Sequence, residues 1–319
     1  MKILLADSFP ETHHAALTEN GHELTSEPAL DGSSLPQAIA DHEILIVRST
    51  EVTAATLEAG KNLKLVIRAG AGTNTINKAR ASELDVHVCN VPGANSIAVA
   101  ELVMGLIISI DRHIPDNNAD LKSQLWNKKK YSKARGLYGQ KIGILGLGAI
   151  GFAVAERASA FGMPVYALAK PDRSPDAEKR IRDAGITQLG SQDELLETCD
   201  IITLHMPAND QTKHMVNQSF LAKMKDGAML INSSRGELVD EAALLEAVES
   251  KGIRVGLDVY DSEPGASDKQ FNSKIACHPE VYGTHHIGAS TEQAQVAVAD
   301  GVLGVIAAYE QGEFRNCVN

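Results

Sequence analysis

One glycine-rich segment constrains the fold of this chain more than any other feature, because of what lies on either side of it. Gly146, Gly148 and Gly151 form the pattern G-x-G-x-x-G. Residues 141–145 are rich in apolar side chains and predict a strand, and residues 152–161 predict a helix. This succession is typical of dinucleotide-binding domains, in which the helix N-terminus receives the pyrophosphate. A glycine turn in an α/β sheet without a ligand is the alternative.

The length and charge of the chain limit the remaining possibilities. A chain of 319 residues has room for two domains, and the glycine pattern begins far enough along it for one domain to come first. The net charge of −11 argues against a nucleic-acid partner, because binding to phosphate backbones depends on clustered Lys and Arg. No apolar run is long enough to cross a bilayer. The first apolar run ends at Asp7 and predicts a strand instead of a signal peptide.

The cysteines indicate a compartment. Cys89, Cys199, Cys277 and Cys317 are widely separated and form no C-x-x-C pair. This spacing favours free thiols in a reducing environment over disulfides or a zinc site. We therefore expect a cytoplasmic protein with no metal.

Short apolar segments alternate with helix-like stretches along most of the chain. Predicted strands lie at 3–6, 44–48, 65–68, 86–89, 165–168, 201–205, 228–232 and 256–259. This alternation is typical of parallel sheets that are covered on both faces. We predict an α/β fold of two doubly wound parallel-sheet domains, one after the other.

Two apolar helices decide how these domains are connected. Residues 96–110 predict a helix that packs inside the protein or against a second subunit, which favours a homodimer. Residues 290–310 predict a helix that returns to the first domain. The expected arrangement is a Rossmann domain at 98–288, inserted into a flavodoxin-like substrate domain formed by 1–97 plus 289–319.

Residues 126–141 concentrate positive charge in an otherwise acidic chain. A solvated surface loop is one interpretation. The other is a rim that attracts an acidic substrate.

Three side chains after the glycine pattern have the chemistry that hydride transfer requires. Arg235 follows a predicted strand, where a guanidinium can bind a carboxylate through two hydrogen bonds. His286 is a natural proton donor and acceptor near neutral pH. A carboxylate such as Glu263 favours the imidazolium form when it lies beside the ring. Each residue alone also fits a structural role, and sequence spacing does not show that they meet.

The chain resembles the D-isomer-specific 2-hydroxyacid dehydrogenase family, and most closely its D-3-phosphoglycerate dehydrogenase branch. The matching segments are 47–50, 68–72, 91–96, 100–101, 143–151, 161–163, 232–236, 239–241, 257–260, 263–264 and 286–290. They occur in the family's order along nearly the whole chain, which makes the resemblance specific.

The resemblance implies roles for individual residues. Arg235 orients the substrate, His286 is the acid/base and Glu263 supports it. His285 stands where the family usually has proline, and His286 is preferred over it because Ile-Gly-Ala-Ser follows directly. Cofactor-binding positions are Gly146, Gly148, Ala149, Ile150, Gly151, Lys170, Met206, Ser233, Ser234, Asp258, Gly288 and Ala289. Substrate-binding positions are Arg48, Arg68, Ala71, Gly72 and Asn95, and a Lys or Arg of 128–135 is a further candidate for a substrate phosphate.

One departure from the family concerns the choice of cofactor. Ala169 stands where an acidic residue usually binds the ribose of NAD, and Lys170 follows it, with Arg173 nearby. Loss of the acid and gain of cations favour the 2′-phosphate of NADP(H). Asp172 argues against this interpretation, because a shift of the loop would bring an acid to the position that binds the ribose.

The expected activity is hydride transfer between NAD(P) and a D-2-hydroxy acid. The leading reaction interconverts 3-phosphoglycerate and 3-phosphohydroxypyruvate in serine biosynthesis, and the expected partner is a small acidic metabolite. A hydroxypyruvate or glyoxylate reductase is the alternative within enzymes, and a dinucleotide-sensing corepressor is the alternative outside them. Because the chain ends soon after its last predicted helix, we expect no C-terminal regulatory domain.

Overall fold

The computed structural model describes residues 1–264 and 270–319. They form two compact units, Met1–Ser96 with Ala289–Asn319, and Ile97–Gly288. In sequence, the second unit is inserted into the first. The domain assignment made from the sequence, with substrate binding in 1–97 plus 289–319 and cofactor binding in 98–288, stays a prediction.

The first unit is built on a parallel sheet in the order β2-β1-β3-β4-β5. Its strands are β1 (Lys2–Leu5), β2 (Glu23–Ser26), β3 (Ile44–Val47), β4 (Leu65–Arg68) and β5 (His87–Asn90). The helices between them are α1 (Glu11–Glu19), α2 (Leu35–Ala38), α3 (Ala54–Ala59) and α4 (Lys78–Glu83). This strand order is that of flavodoxin-like sheets.

The second unit contains a larger parallel sheet in the order β12-β11-β10-β9-β6-β7-β8. Its strands are β6 (Ile142–Leu145), β7 (Val165–Leu168), β8 (Thr187–Leu189), β9 (Ile201–Leu204), β10 (Met229–Asn232), β11 (Arg254–Leu257) and β12 (Val281–Gly283). The helices along this part of the chain are α5 (Ser96–Arg112), α6 (Ile114–Lys122), α7 (Ala149–Ala160), α8 (Pro175–Asp183), α9 (Gln192–Thr198), α10 (Gln218–Lys223) and α11 (Glu241–Lys251). The Rossmann fold predicted from the glycine pattern is confirmed.

Successive residues of each strand point to opposite faces of the sheet, and both faces are apolar. In β1, Ile3 and Leu5 pack in one core cluster of the first unit, and Leu4 packs in the other. The last helix, α12 (Glu292–Glu310), contributes Val302 to the first of these clusters. The sheet of the second unit likewise separates two clusters. Burial on both faces explains why the central strands are short continuous apolar runs.

No helix in the described part of the chain is long and apolar enough to cross a membrane.

Candidate active site

The carboxyl ends of the second unit's strands gather the predicted catalytic and cofactor residues at one edge. β6 and β9 are neighbours in this sheet, and the strands that follow each of them run outward in opposite directions. In α/β sheets, ligands bind outside the carboxyl ends of the strands at such a reversal. Gly146 follows β6, His205 follows β9, and Asp258 follows β11.

The glycine pattern forms a tight turn from β6 into α7. Gly146 has φ +106°, and a Cβ there would lie 2.3 Å from the His205 carbonyl oxygen. A Cβ on Gly151 would lie 2.1 Å from the Gly146 carbonyl oxygen. At Gly148, by contrast, a Cβ would have no described atom within 4 Å. The outer two glycines are therefore required by packing, whereas Gly148 faces open space.

Several features of this edge fit a bound dinucleotide. No side chain caps α7, so its first N–H groups are available to a phosphate beside Gly148. The hydroxyl of Ser233 and Nδ1 of His205 are buried, and neither has a hydrogen-bond partner among the described residues. Burial lowers the pKa of His205 to about 3, so this ring is neutral. Buried polar atoms that the protein leaves unpaired are suited to a polar ligand.

The turn after β10 places Arg235. Asn232 is fully buried, and its side-chain oxygen accepts a hydrogen bond from the Ser234 N–H at 3.0 Å. Its side-chain nitrogen donates to the Arg235 carbonyl oxygen at 2.8 Å. A Cβ on Gly236 would lie 1.9 Å from the Tyr260 carbonyl carbon, so this position is restricted to glycine. These contacts fix the backbone on both sides of Arg235.

His286 and Glu263 form the closest pair of titratable groups in the site. His286 Nδ1 lies 2.7 Å from Glu263 Oε2, and Glu263 Oε1 accepts a hydrogen bond from the Tyr260 N–H at 3.0 Å. Both side chains remain partly exposed. Because Nδ1 is occupied by Glu263, Nε2 of His286 is the nitrogen that can exchange a proton with a substrate.

The two groups shift each other's pKa in opposite directions. The hydrogen bond that His286 donates to Glu263 raises the pKa of His286, and this outweighs the lowering by burial and by Arg235. Burial alone would raise the pKa of Glu263. Hydrogen bonds from His286 and the Tyr260 N–H, together with the charges of His286 and Arg235, lower it overall. Arg235 is thus close enough to act electrostatically on both members of the pair.

Asp258 holds the loop that carries His286. Its carboxylate is 1% exposed and accepts hydrogen bonds from the Thr284 hydroxyl at 2.6 Å and from the Ile287 and Gly288 N–H groups, each at 2.8 Å. The His286 N–H donates to the Asp258 carbonyl oxygen at 2.8 Å. His286 itself has φ +53°, which costs a non-glycine residue about 1–3 kcal/mol. Asp258 therefore maintains a strained backbone at the predicted proton-transfer residue.

The end of β7 carries no carboxylate. Ala169 and Lys170 are both exposed there. Arg173 donates to the Leu168 carbonyl oxygen at 2.8 Å and lies 3.6 Å from Glu178. The guanidinium is thus fixed at the end of the strand.

In the first unit, an acidic residue organises the predicted substrate loop. Asp7 Oδ2, at the end of β1, accepts hydrogen bonds from the N–H groups of Arg48 at 2.6 Å and of Ser49 and Thr50 at 3.1 Å. β1 and β3 are adjacent at the reversal of this sheet. Arg48 therefore lies where a flavodoxin-like sheet binds ligands.

The loop after β4 is held in a similar way. Arg68 ends β4 beside Asn90 of β5, and its guanidinium packs against Gly70, which has φ +138°. The Asn90 side chain donates to the Ala71 carbonyl oxygen at 2.6 Å. Gly72 and Asn95 are half-buried.

The positively charged segment is exposed and partly neutralised. Lys128, Lys129 and Lys130 lie on the surface, and Lys130 is 3.6 Å from Asp120. Tyr131 also donates to Asp120, at 2.7 Å. An anion-attracting role for this segment stays a prediction.

The second unit brings Arg235, Glu263 and His286 together, whereas the predicted substrate residues belong to the first unit. Sequence reasoning missed the positioning roles of Asp7, Asn90 and Asp258. Their positions at or just beyond the carboxyl ends of strands were the available signal. The described residues contain no cluster of three or more His, Cys, Asp or Glu arranged for a metal.

The Rossmann sheet carries its open glycine turn at the same edge as an arginine and a histidine–carboxylate pair. This combination is typical of nicotinamide-dependent oxidoreductases. The family model "D-isomer specific 2-hydroxyacid dehydrogenase, NAD binding domain" matches residues 104–288, which is more than half of the chain. The chain belongs to the D-isomer-specific 2-hydroxyacid dehydrogenase family.

Relatives with curated functions and solved structures agree with this placement. A hydroxypyruvate reductase of Thermotoga maritima is 41% identical over 86% of each chain. A D-3-phosphoglycerate dehydrogenase of Methanocaldococcus jannaschii is 38% identical over the whole of this chain, which spans 59% of that relative. An acyclic imino acid reductase, solved with NADPH and D-Arg, is 26% identical with a TM-score of 0.85, and each chain is fully covered.

We expect Glu263→Gln to change the pH dependence of turnover. With His286 as the predicted proton donor, reduction of a 2-oxo acid requires the protonated ring, so the expected rate is full at low pH and falls as pH rises through the pKa of His286. Because Glu263 raises that pKa, its loss moves the fall to lower pH. Profiles of kcat/KM against pH for the wild type and the variant measure the shift. Superimposable profiles would contradict the role given to Glu263.

Proposed function

We propose that the enzyme interconverts 3-phosphoglycerate and 3-phosphohydroxypyruvate, a step of serine biosynthesis. The observation that carries the proposal is the pair Arg48 and Arg68, which lie at the ends of adjacent strands of the first unit. A phosphorylated 2-hydroxy acid has two anionic ends. Arg235 matches the carboxylate, and Arg48 and Arg68 are suited to the phosphate. Relatives named D-3-phosphoglycerate dehydrogenase support this substrate.

In the proposed reduction, Arg235 binds the carboxylate and polarises the adjacent carbonyl. N–H groups near Ala71 and Gly72 bind the same carboxylate. A bound nicotinamide supplies the hydride. His286 Nε2 gives its proton to the carbonyl oxygen, while Glu263 stabilises the imidazolium and keeps the ring oriented. In the oxidation, His286 takes the hydroxyl proton.

A comparison of substrates tests this proposal. The purified protein is assayed with phosphohydroxypyruvate, hydroxypyruvate and glyoxylate, each with NADH and NADPH. We expect kcat/KM to be at least about tenfold higher for phosphohydroxypyruvate, because one added charge-assisted contact is worth about that factor. Equal or faster use of the unphosphorylated acids would favour a hydroxypyruvate or glyoxylate reductase. No turnover of any of them would favour a dinucleotide-sensing corepressor.

We further propose that NADPH is accepted at least as well as NADH. Neither of the two residues that follow β7 directly, Ala169 and Lys170, is an acid that could bind the ribose hydroxyls. Lys170 is exposed at that strand end as a partner for a 2′-phosphate, and the Arg173 guanidinium is held beside it. The rest of the cofactor site that we propose lies at the same edge of the sheet and includes Gly146, Ala149, Ile150, Ser233 and their neighbours.

Ala169→Asp is expected to reverse this preference. A carboxylate at the end of β7 would bind the ribose hydroxyls of NADH and repel the phosphate of NADPH. The ratio of kcat/KM for NADPH to that for NADH should fall by about tenfold or more. A wild-type enzyme that strongly prefers NADH would overturn the proposal before the variant is made.

We also propose a homodimer formed through the second unit. Ile114, Leu121, Leu125 and Trp126 line one groove and are exposed, Trp126 to 81%. A contiguous exposed apolar surface of this kind is typical of an interface. We expect light scattering to give twice the chain mass for the wild type and the chain mass for Trp126→Glu. A monomeric wild type would contradict the proposal.

Finally, we propose a cytoplasmic enzyme whose partner is a small acidic metabolite. All four cysteines are free thiols, which supports a reducing compartment. The net charge of −11 argues against nucleic acid.

A further inference from the structure

We propose that Cys89 and Cys317 form a reversible disulfide that fastens residues 316–319 to β5. Both cysteines belong to the first unit. The proposal concerns a modification site and is independent of the proposed reaction and of its substrate.

The backbone places the two cysteines directly opposite each other. Cys89 and Cys317 are partners in an antiparallel bridge. The flanking hydrogen bonds run from the Asn90 N–H to the Asn316 carbonyl at 3.2 Å and from the Val318 N–H to the Val88 carbonyl at 2.8 Å. This pattern defines a non-hydrogen-bonded pair, whose Cα atoms lie about 4.5 Å apart, with side chains on the same face. That distance is within the range of about 4.4–6.8 Å over which disulfides form.

The two thiols differ in access and in reactivity. Cys317 is exposed, and its sulfur lies 3.9 Å from Nδ1 of His87. Cys89 is fully buried. Burial, with a contribution from the Cys317 thiol, raises the pKa of Cys89 to about 12. Cys317 therefore reacts first with an oxidant from solution, and Cys89 closes the bond.

A low-molecular-weight disulfide is the oxidant that we propose. The Cys317 thiolate attacks one sulfur of the oxidant, forms a mixed disulfide and releases one thiol. Cys89 then loses its proton and attacks the Cys317 sulfur. The mixed disulfide breaks, the Cys89–Cys317 bond forms, and a second thiol leaves with the proton. Two protein thiols are oxidised and one disulfide is reduced to two thiols.

Residues 316–319, which the disulfide would link to β5, already pack against that strand. Asn319 accepts a hydrogen bond from the Val88 N–H at 2.7 Å and donates to the Val86 carbonyl at 2.9 Å. Phe314 packs on the His87 ring with centroids 3.7 Å apart. Because the segment is seated before oxidation, the disulfide joins two pieces of backbone that already lie side by side. It then protects an edge strand whose last residue, Asn90, holds the Ala71 loop.

Oxidation of the intact protein tests the proposal. The protein is incubated with oxidised glutathione at mildly alkaline pH, denatured, and titrated for thiols. We expect four thiols before oxidation and two after it, with a peptide that links Cys89 to Cys317. Dithiothreitol should restore all four. Hydrogen exchange at the Val318 and Asn90 N–H groups should slow by at least about tenfold in the oxidised protein, because the segment no longer frays.

Two variants test whether the disulfide forms between Cys89 and Cys317 and not at another cysteine. Cys277→Ser removes another exposed thiol and should still form the linked peptide. Cys317→Ser should lose it and show unchanged exchange after the same treatment. The proposal is overturned if Cys89 keeps its thiol under these conditions, or if Cys317 is found only in a mixed disulfide or in a bond between two molecules.

Discussion

Replacing His286 by alanine is expected to lower kcat by about 10²- to 10⁴-fold, the usual contribution of general acid–base catalysis. The hydrogen bond to Glu263 raises the pKa of this imidazole and so favours its charged form. Without the imidazole, the proton must come from solvent, whereas the proposed binding of the substrate carboxylate by Arg235 is kept. KM should therefore change much less than kcat. Steady-state kinetics with the best 2-oxo acid measures both values.

The adjacent histidine provides a matched control for this variant. His285 and His286 are both exposed, and of these two histidines His286 is the one with a hydrogen bond to Glu263 in the described part of the chain. We expect His285→Ala to keep kcat close to that of the wild type. Near-normal kcat in a well-folded His286→Ala protein, or a large loss of kcat in His285→Ala, would show that His286 is not the proton-transfer residue.

Arg235→Lys is expected to lower kcat/KM by about 10- to 100-fold, although the positive charge is kept. A planar guanidinium binds a carboxylate through two parallel hydrogen bonds, whereas an ammonium acts as a point charge. Loss of one charge-assisted hydrogen bond accounts for a change of about this size. Cofactor affinity, followed by fluorescence titration, should stay close to that of the wild type. Wild-type kcat/KM in this variant would rule out bidentate binding by Arg235.

The sequence predicted the central part of both sheets because burial on two faces produces apolar runs that are easy to recognise. Strands with a different environment were missed. β2 is only partly buried, β8 is short with an exposed first residue, and β12 is partly exposed. Each lies at a sheet edge, where one side has no neighbouring strand and the apolar pattern is weak.

The proximity of the predicted catalytic groups could not be derived from their spacing in the sequence. Glu263 and His286 meet because β11 and β12 are paired, and such pairing is a long-range property of the sheet. Asp258 was predicted to line the cofactor, and nothing in the sequence revealed that its buried carboxylate holds the His286 loop. Its cofactor contact stays a prediction. Positioning residues of this kind contact backbone, so their place at a strand end is visible in the sequence but their hydrogen-bond partners are not.

The most direct test of the whole account is the configuration of the product. Phosphohydroxypyruvate and hydroxypyruvate are reduced with the preferred cofactor, the phosphate is removed from the first product, and glycerate enantiomers are separated by chiral chromatography. We expect D-glycerate from the wild type and a loss of its formation in His286→Ala. L-Glycerate, or D-glycerate formed at the wild-type rate by His286→Ala, would contradict it.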